Sequence, residues 1–317
     1  MFKSVLVLLD GSSLAEQALA TAARVVYVSQ GKLLLVHVNT APSACGSYAT
    51  EYLTQIAHEP LLSRLDAQSI VCSGNSADSI IEVAQSYACD LIVMSSRGAS
   101  GMKRLLMGSV AQQVVRQSTI PVLVLTSRIQ PPLNQAMNAG CILLLLIGLD
   151  GSSYAEAIIT PAIQLCASLT TPEKSILHLL HIVQPTPYVR DEGQAIADRI
   201  TATHVHAAKQ YLANVKQRIH DGSFGSCTSV VTASVINSNK LTVDTLVYAA
   251  RTEAILEEMK DSKPYPVIAL ATHGRRGISR WALGSVTEHM LGSTTYPLLA
   301  VRMPTSRTGY NFFATTL

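Results

Sequence analysis

Short apolar runs, each about the length of one strand, alternate along the chain with longer segments in which apolar residues recur at helical spacing. In the first part of the chain the runs are Val5 to Leu9, Leu33 to Val38, Ser69 to Cys72, Leu91 to Met94 and Val122 to Leu125. Their apolar character is continuous rather than alternating. That is the pattern of strands buried on both faces, and it predicts a five-stranded parallel sheet. Between the first two runs, Ser13-Leu14-Ala15-Glu16 reads as a capping box, with Ser13 accepting from the Glu16 amide and Glu16 reaching back. Parallel strands need right-handed crossovers, which put helices on both faces of the sheet.

The pattern then repeats. Leu9-Asp10-Gly11-Ser12-Ser13 returns as Leu149-Asp150-Gly151-Ser152-Ser153, and Ser153-Tyr154-Ala155-Glu156 repeats the capping box. Towards the end of each copy, Arg97-Gly98 and Gly108-Ser109-Val110 return as His273-Gly274 and Gly284-Ser285-Val286. Ile120-Pro121-Val122-Leu123 returns as Tyr296-Pro297-Leu298-Leu299. The second copy is longer between its first and last motifs, so the chain is a duplication with insertions. One of these predicts a long helix over about Gln194 to Ile219, with Ile196, Ile200, Leu212, Val215 and Ile219 facing inward. Thr126 to Gly140 lacks clear periodicity and reads as a connection. The expected division is a first domain at 1–127, a linker at 128–140, a second domain at 141–303 and a tail at 304–317.

Composition narrows the class. At 317 residues, 48% apolar, 14% charged and 5% aromatic, the chain can build two aliphatic cores. A net charge of +3 with scattered Lys and Arg implies no nucleic-acid stripe. The apolar run from Cys141 to Ile147 is far below the ~20 residues of a membrane helix, and the N-terminal run is too short for a signal peptide, so a cytoplasmic protein is expected. The six cysteines form no C-x-x-C and read as reduced thiols.

In a doubly wound sheet the ligand crevice opens at the carboxyl ends of the strands, where the repeated motifs fall. The strand Leu91 to Met94 runs into Ser95-Ser96-Arg97-Gly98 and on to Gly108-Ser109-Val110; Val267 to Leu270 runs into Ala271-Thr272-His273-Gly274 and on to Gly284-Ser285-Val286. These segments resemble the ATP-binding branch of the universal stress protein family, whose motif is G-x2-G-x9-G-[ST]. The resemblance covers nearly the whole chain, twice. It implies two α/β domains of the adenine-nucleotide α-hydrolase-like fold and binding of ATP, alone or with Mg2+. It also implies phosphate contacts from the glycine loop and its Ser, with Asp10 and Asp150 at the adenine or ribose, Val38 and Ile182 at the base, and Gly11, Ser12, Gly151 and Ser152 among the nucleotide-binding residues. It further implies that the last strands, Pro121 to Leu125 and Pro297 to Val301, pair antiparallel, making the chain an intramolecular pseudo-dimer.

Both copies depart from the motif at its first glycine, which is Ser95 in one and Ala271 in the other. If that position requires positive φ, a side chain there costs on the order of 1 kcal/mol; at negative φ the exchange is nearly free. After its third strand the first copy has Gly74-Asn75-Ser76, whereas the second has Val235-Ile236-Asn237-Ser238 and no glycine, which favours the first copy as the nucleotide site. Lys103 and Arg104 in one loop and Arg275, Arg276 and Arg280 in the other suit phosphate oxygens.

Plainer readings stand beside these. Asp10 and Asp150 equally suit Asx caps of their own turns. Met102, Met107 and Trp281 suit packing, and His273 suits a solvent-facing loop. Ser12, Ser13, Ser109 and Ser285 have no base beside them in sequence, and neither a G-x-S-x-G nor a G-x4-G-K-[ST] segment is present. The functional expectation is a stress-response nucleotide sensor without committed catalysis. A nucleotide-free interaction module and a slow ATP hydrolase are the alternatives. Phe312-Phe313 in the tail is the candidate contact for a further homodimer.

Overall fold

The computed structural model describes residues 1–39, 46–96, 107–126, 133–171, 174–187, 193–239, 245–246, 249, 264–272, 287, 290, 294 and 296–303. The first half runs β1 (Ser4–Leu8), α1 (Ser13–Ser29), β2 (Lys32–Asn39), α2 (Gly46–Ala57), a 3-10 turn at Pro60–Leu62, β3 (Asp66–Ser73), α3 (Ser76–Ser86), β4 (Leu91–Ser95), α4 (Ser109–Gln117) and β5 (Val122–Leu125). After α5 (Leu133–Asn138), the second half runs β6 (Ile142–Leu149), α6 (Ser153–Glu156), α7 (Ile159–Leu169), β7 (Ser175–Val183), α8 (Gln194–His220), β8 (Val230–Asn237), β9 (Pro264–Ala271) and β10 (Leu298–Val301).

The strands form one ten-stranded sheet in the order β3-β2-β1-β4-β5-β10-β9-β6-β7-β8. Neighbours are parallel within each half, and the halves meet where β5 and β10 pair antiparallel, Leu299 opposite Leu123. This is the expected pseudo-dimer. The seam removes two apolar edges, whereas the true edges β3 and β8 are mixed in polarity and for the most part half-buried or exposed.

Residues alternate between two buried layers. Val5, Val7, Leu33, Leu123, Leu145 and Leu299 face a layer formed by α1, α2, α5, α7 and α8, which is continuous through both halves. Leu6, Leu34, Ile92, Val122, Ile268 and Leu298 face the other, closed in the first half by α3 and α4. Helices α1 and α7 pack on each other across the seam. Beyond β10, the Arg302 guanidinium donates to the Arg116 and Gln117 carbonyls at the C-terminus of α4, at 2.9 and 3.3 Å. A cation there also complements the helix dipole.

Several expectations are corrected. The N-cap is Ser12 rather than Ser13: its hydroxyl accepts from the Ala15 amide at 3.2 Å, and Glu16 turns instead to Tyr52. Ser152 does the same with Ala155 at 3.1 Å. Along α8, Leu212, Val215 and Ile219 are buried as expected, but Ile196 and Ile200 are 63% and 40% exposed, and Ala197, Thr201 and Ala208 face inward in their place. The exposed pair lies on the N-terminal extension that α2 lacks. The connecting segment is not featureless: α5 buries Leu133, Ala136 and Met137. Met107 is buried, in keeping with a packing role.

One substitution distinguishes the second half's core. Leu34 on β2 pairs with Leu6, and the matching partner of Leu146 is His178 on β7. This imidazole is 4% exposed and is held at 2.7 Å on each side by the Thr232 and Ser234 hydroxyls of β8. Burial pushes its pKa down to about 4, so it stays neutral.

Candidate functional site

In each half the strand order reverses between the first and fourth strands, β1 and β4 in one and β6 and β9 in the other. Such a switch point leaves a crevice at the carboxyl ends of the strands. Asp10 and Gly11 leave β1 there, with Gly11 at φ +80°; Asp150 and Gly151 leave β6 with Gly151 at +84°. Asp10 Oδ1 accepts from the Ser12 amide at 3.1 Å and from its hydroxyl at 2.6 Å. Asp150 does so from Ser152 at 2.9 and 2.6 Å. The Asx turn is therefore present in both halves. It fixes the carboxylate beside the crevice and commits each Ser hydroxyl to capping.

The fourth strands end alike. Ser96, just past β4, donates its amide to Leu125 at 2.7 Å and accepts from the Gly108 amide at 2.7 Å. That contact brings the start of α4 beside the end of β4. Gly108 is the N-cap of α4 and offers no side-chain cap; Ser109 is exposed and Val110 half-buried. In the second half Thr272 donates to Val301 at 2.8 Å, and the Thr287 hydroxyl bonds the Ala271 carbonyl at 3.1 Å. Arg97, Gly98, Lys103, Arg104, His273, Gly274, Arg275, Arg276, Arg280, Gly284, Ser285 and Val286 lie outside the described residues, as do Met102, Trp281, Phe312 and Phe313.

Among the described residues, positive φ outside glycine occurs at Gln30 and Ala88. Ser95 and Ala271 thus carry their side chains without left-handed strain, and the missing first glycine costs the backbone nothing. The third loop keeps one backbone contact in both halves, although Gly74 sits at φ +133° where Ser238 has no positive φ. Gly74 donates its amide to Asn39 at 3.1 Å, and Ser238 donates to Val183 at the same distance. Val38 and Ile182 end the second strands half-buried, packed on the layer that α3 and α4 close in the first half.

A repeated cluster on the other face escaped sequence reasoning. The Tyr52 hydroxyl donates to Glu16 at 3.2 Å, and its ring meets His37 edge-on, centroids 6.0 Å apart at 70°. Tyr211 meets His181 at 6.0 Å and 72°, with Glu156 beside it. Burial first, then the neighbouring carboxylate, holds both phenols well above their ordinary pKa. Glu156 also pairs with Arg218 at 2.9 Å, and that guanidinium lies 4.7 Å over the Phe224 ring. The sequence signal was a His one place before Val38 and before Ile182. The Tyr partners are hidden by the unequal insertions.

Beside this cluster the second half holds a cavity of about 440 Å3, bounded by Gly151, His181, Ile182, His204, Ala207 and Tyr211. One helical turn before Tyr52, Tyr48 stands where Ala207 stands before Tyr211. Tyr48 brings its hydroxyl to 3.7 Å from the position a Cβ on Gly11 would take. Among the described residues no group of three or more His, Cys, Asp or Glu is placed to hold a metal ion, and no helix is long and apolar enough to cross a membrane. Burial raises the Cys166 thiol to about 12, which removes it as a nucleophile.

Taken together, two open α/β sheets joined edge to edge, each with a crevice at its switch point, define a doubled doubly wound protein with paired clefts. The Universal stress protein family matches residues 1–126 and again 144–302, and the chain belongs to that family. Universal stress protein YxiE of Bacillus subtilis is 32% identical over 146 residues, covering 39% of this chain and 99% of that protein. Two solved structures share the fold over 95% of this chain. A functionally unknown Pseudomonas aeruginosa PAO1 protein, PA1789, has 18% identity, 92% coverage and a TM-score of 0.63. A putative universal stress protein of P. aeruginosa UCBPP-PA14 has 19% identity, 93% coverage and a TM-score of 0.62.

Proposed function

We propose that this chain binds an adenine nucleotide, ATP by preference, in its switch-point crevices, and acts as a cytoplasmic stress-response sensor without committed catalysis. Each domain, at 1–127 and 141–303, contributes one crevice. The observation that carries this reading is the Asp-Gly-Ser turn built twice at the two switch points, with the start of α4 drawn against Ser96 in the first half. Val38 and Ile182 would flank the base, Asp10 and Asp150 would take ribose or base donors, and Gly108, Ser109 and the first amides of α4 would take phosphate. Mg2+ would arrive on the phosphates, since the described residues around the crevice supply no cluster of ligands for it.

Catalysis finds little support in the same geometry. Both capping hydroxyls are spent, donating to the Asp and accepting from a backbone amide, so neither is poised as a nucleophile. Titration calorimetry of the full chain with ATP tests the reading, alongside mass spectrometry of nucleotide released from the purified protein by heat. Binding that Gly98→Val removes from the first crevice is the expected result. Absence of both bound nucleotide and calorimetric binding overturns it in favour of a nucleotide-free interaction module, and steady phosphate release would favour the hydrolase.

A further inference from the structure

Helix α1 starts at the first crevice and ends at a different cavity. At 1.5 Å per residue, Arg24 lies roughly 18 Å along the axis from the Ser12 cap. Here a cavity of about 320 Å3 opens between α1, the 3-10 turn at Pro60–Leu62 and the connecting helix α5. Its lining includes Arg24, Tyr27, Leu61, Arg64, Asn134 and Asn138, with two guanidinium groups and no carboxylate.

The polar groups are incompletely paired. Arg24 Nη1 donates to Asn138 Oδ1 at 3.0 Å, tying α5 to α1. Its Nε is buried with no partner, and so is Asn134 Oδ1, one turn earlier on α5. A buried N–H of a charged group without an acceptor is costly, and a guanidinium edge is shaped for two oxygens of one anion. Asn134 can turn its amide either way to meet a donor or an acceptor. Tyr27 and Leu61, 54% and 49% exposed, form an apolar rim beside the cations.

The arrangement belongs to the first half alone. Counting from the repeated Asp-Gly-Ser turns, Gln164 and Ala167 stand where Arg24 and Tyr27 stand. The fold therefore does not require an arginine and a tyrosine there.

We propose that this cavity is a second ligand site, for a small organic oxyanion whose phosphate or carboxylate head sits against the Arg24 edge and Arg64. A ring or short apolar body of the ligand lies on Tyr27 and Leu61. The site is independent of the crevices and is assembled only when α5 docks on α1.

The test follows the Arg24 Nε–Hε resonance of the full chain by NMR during titration with phenyl phosphate, inorganic phosphate and benzoate, against sodium chloride at equal ionic strength. A saturable shift with phenyl phosphate or benzoate is expected, and which of the two binds more tightly identifies the head group. A shift with inorganic phosphate alone would remove the apolar rim from the proposal. Arg64→Gln, an exposed position, should weaken binding about tenfold, the loss of one charged hydrogen bond. Gly98→Val should leave the shift intact, which separates this site from the nucleotide crevice. Shifts no larger than those with chloride, or insensitive to Arg64→Gln, overturn the proposal.

Discussion

The two halves of this chain share a backbone plan and differ in what fills it. At the crevice, Tyr48 leans towards Gly11 in the first half, while Ala207 leaves a cavity of about 440 Å3 in the second. In the core, Leu34 of the first half becomes His178 in the second, with hydroxyls recruited on β8 to serve it. On α1 the first half carries Arg24 and a docked connecting helix, where the second has Gln164. Duplication preserved the residues that shape turns and sheet register, namely Asp10 and Asp150, Gly11 and Gly151, Ser12 and Ser152. It released side chains beyond those turns, among them Leu34, Tyr48 and Arg24.

The largest effect should come from cutting the halves apart. Val122 and Val124 on β5 are 1% and 0% exposed, so Val122→Lys with Val124→Lys places unpaired ammonium groups in the core at about 3–5 kcal/mol each. Small-angle scattering should show a loss of compactness; an unchanged radius would refute the seam as a stabilising contact. Acid comes next and should strike the second half. An unfolded histidine takes up a proton near 6.5, whereas His178 resists until about 4. Between those values the unfolded chain binds the extra proton, so this contribution to stability is full above pH 6.5 and falls as the pH is lowered. The total is about 3 kcal/mol at about 1.4 kcal/mol per unit. Denaturant melts across pH should show the loss, and His178→Leu should flatten it.

Exchanging the crevice residues tests the difference in room. Ala207→Tyr should reduce nucleotide binding in the second half about tenfold, the weight of a filled pocket of one ring, while Tyr48→Ala should bring the first half closer to the second. Calorimetry with ATP reads both, and equal isotherms for all three proteins would dismiss the distinction. The smallest effect should be the same in both halves. Gly11→Ala and Gly151→Ala force a side chain into left-handed backbone at about 1 kcal/mol each. Urea melts that differ strongly between the two would show that the turns are not equivalent.

Strands and turns were legible in the sequence because runs such as Leu91 to Met94 are apolar throughout and Asp10-Gly11-Ser12 carries its own hydrogen-bonding chemistry. The cap slipped by one residue because Ser12 and Ser13 are equally good acceptors, and the Asp10 contact decides between them. Ile196 and Ile200 misled because periodicity marks a face but not where the neighbour beneath it ends. The cluster of Glu16, His37 and Tyr52 was invisible because its members are distant in sequence and their spacing changes between copies. The connecting helix was missed for a related reason: six residues with three inward positions give too short a pattern to register.

The antiparallel joint between β5 and β10 has a consequence for how the two sites can evolve. In a pair of separate chains every association depends on concentration, and any change appears on both sides at once. Here the partner is tethered, so its effective concentration is fixed by the connection rather than by expression level. One half can then alter its pocket, its core or its outer face without the pair ever dissociating, and the stoichiometry of unlike sites remains one to one.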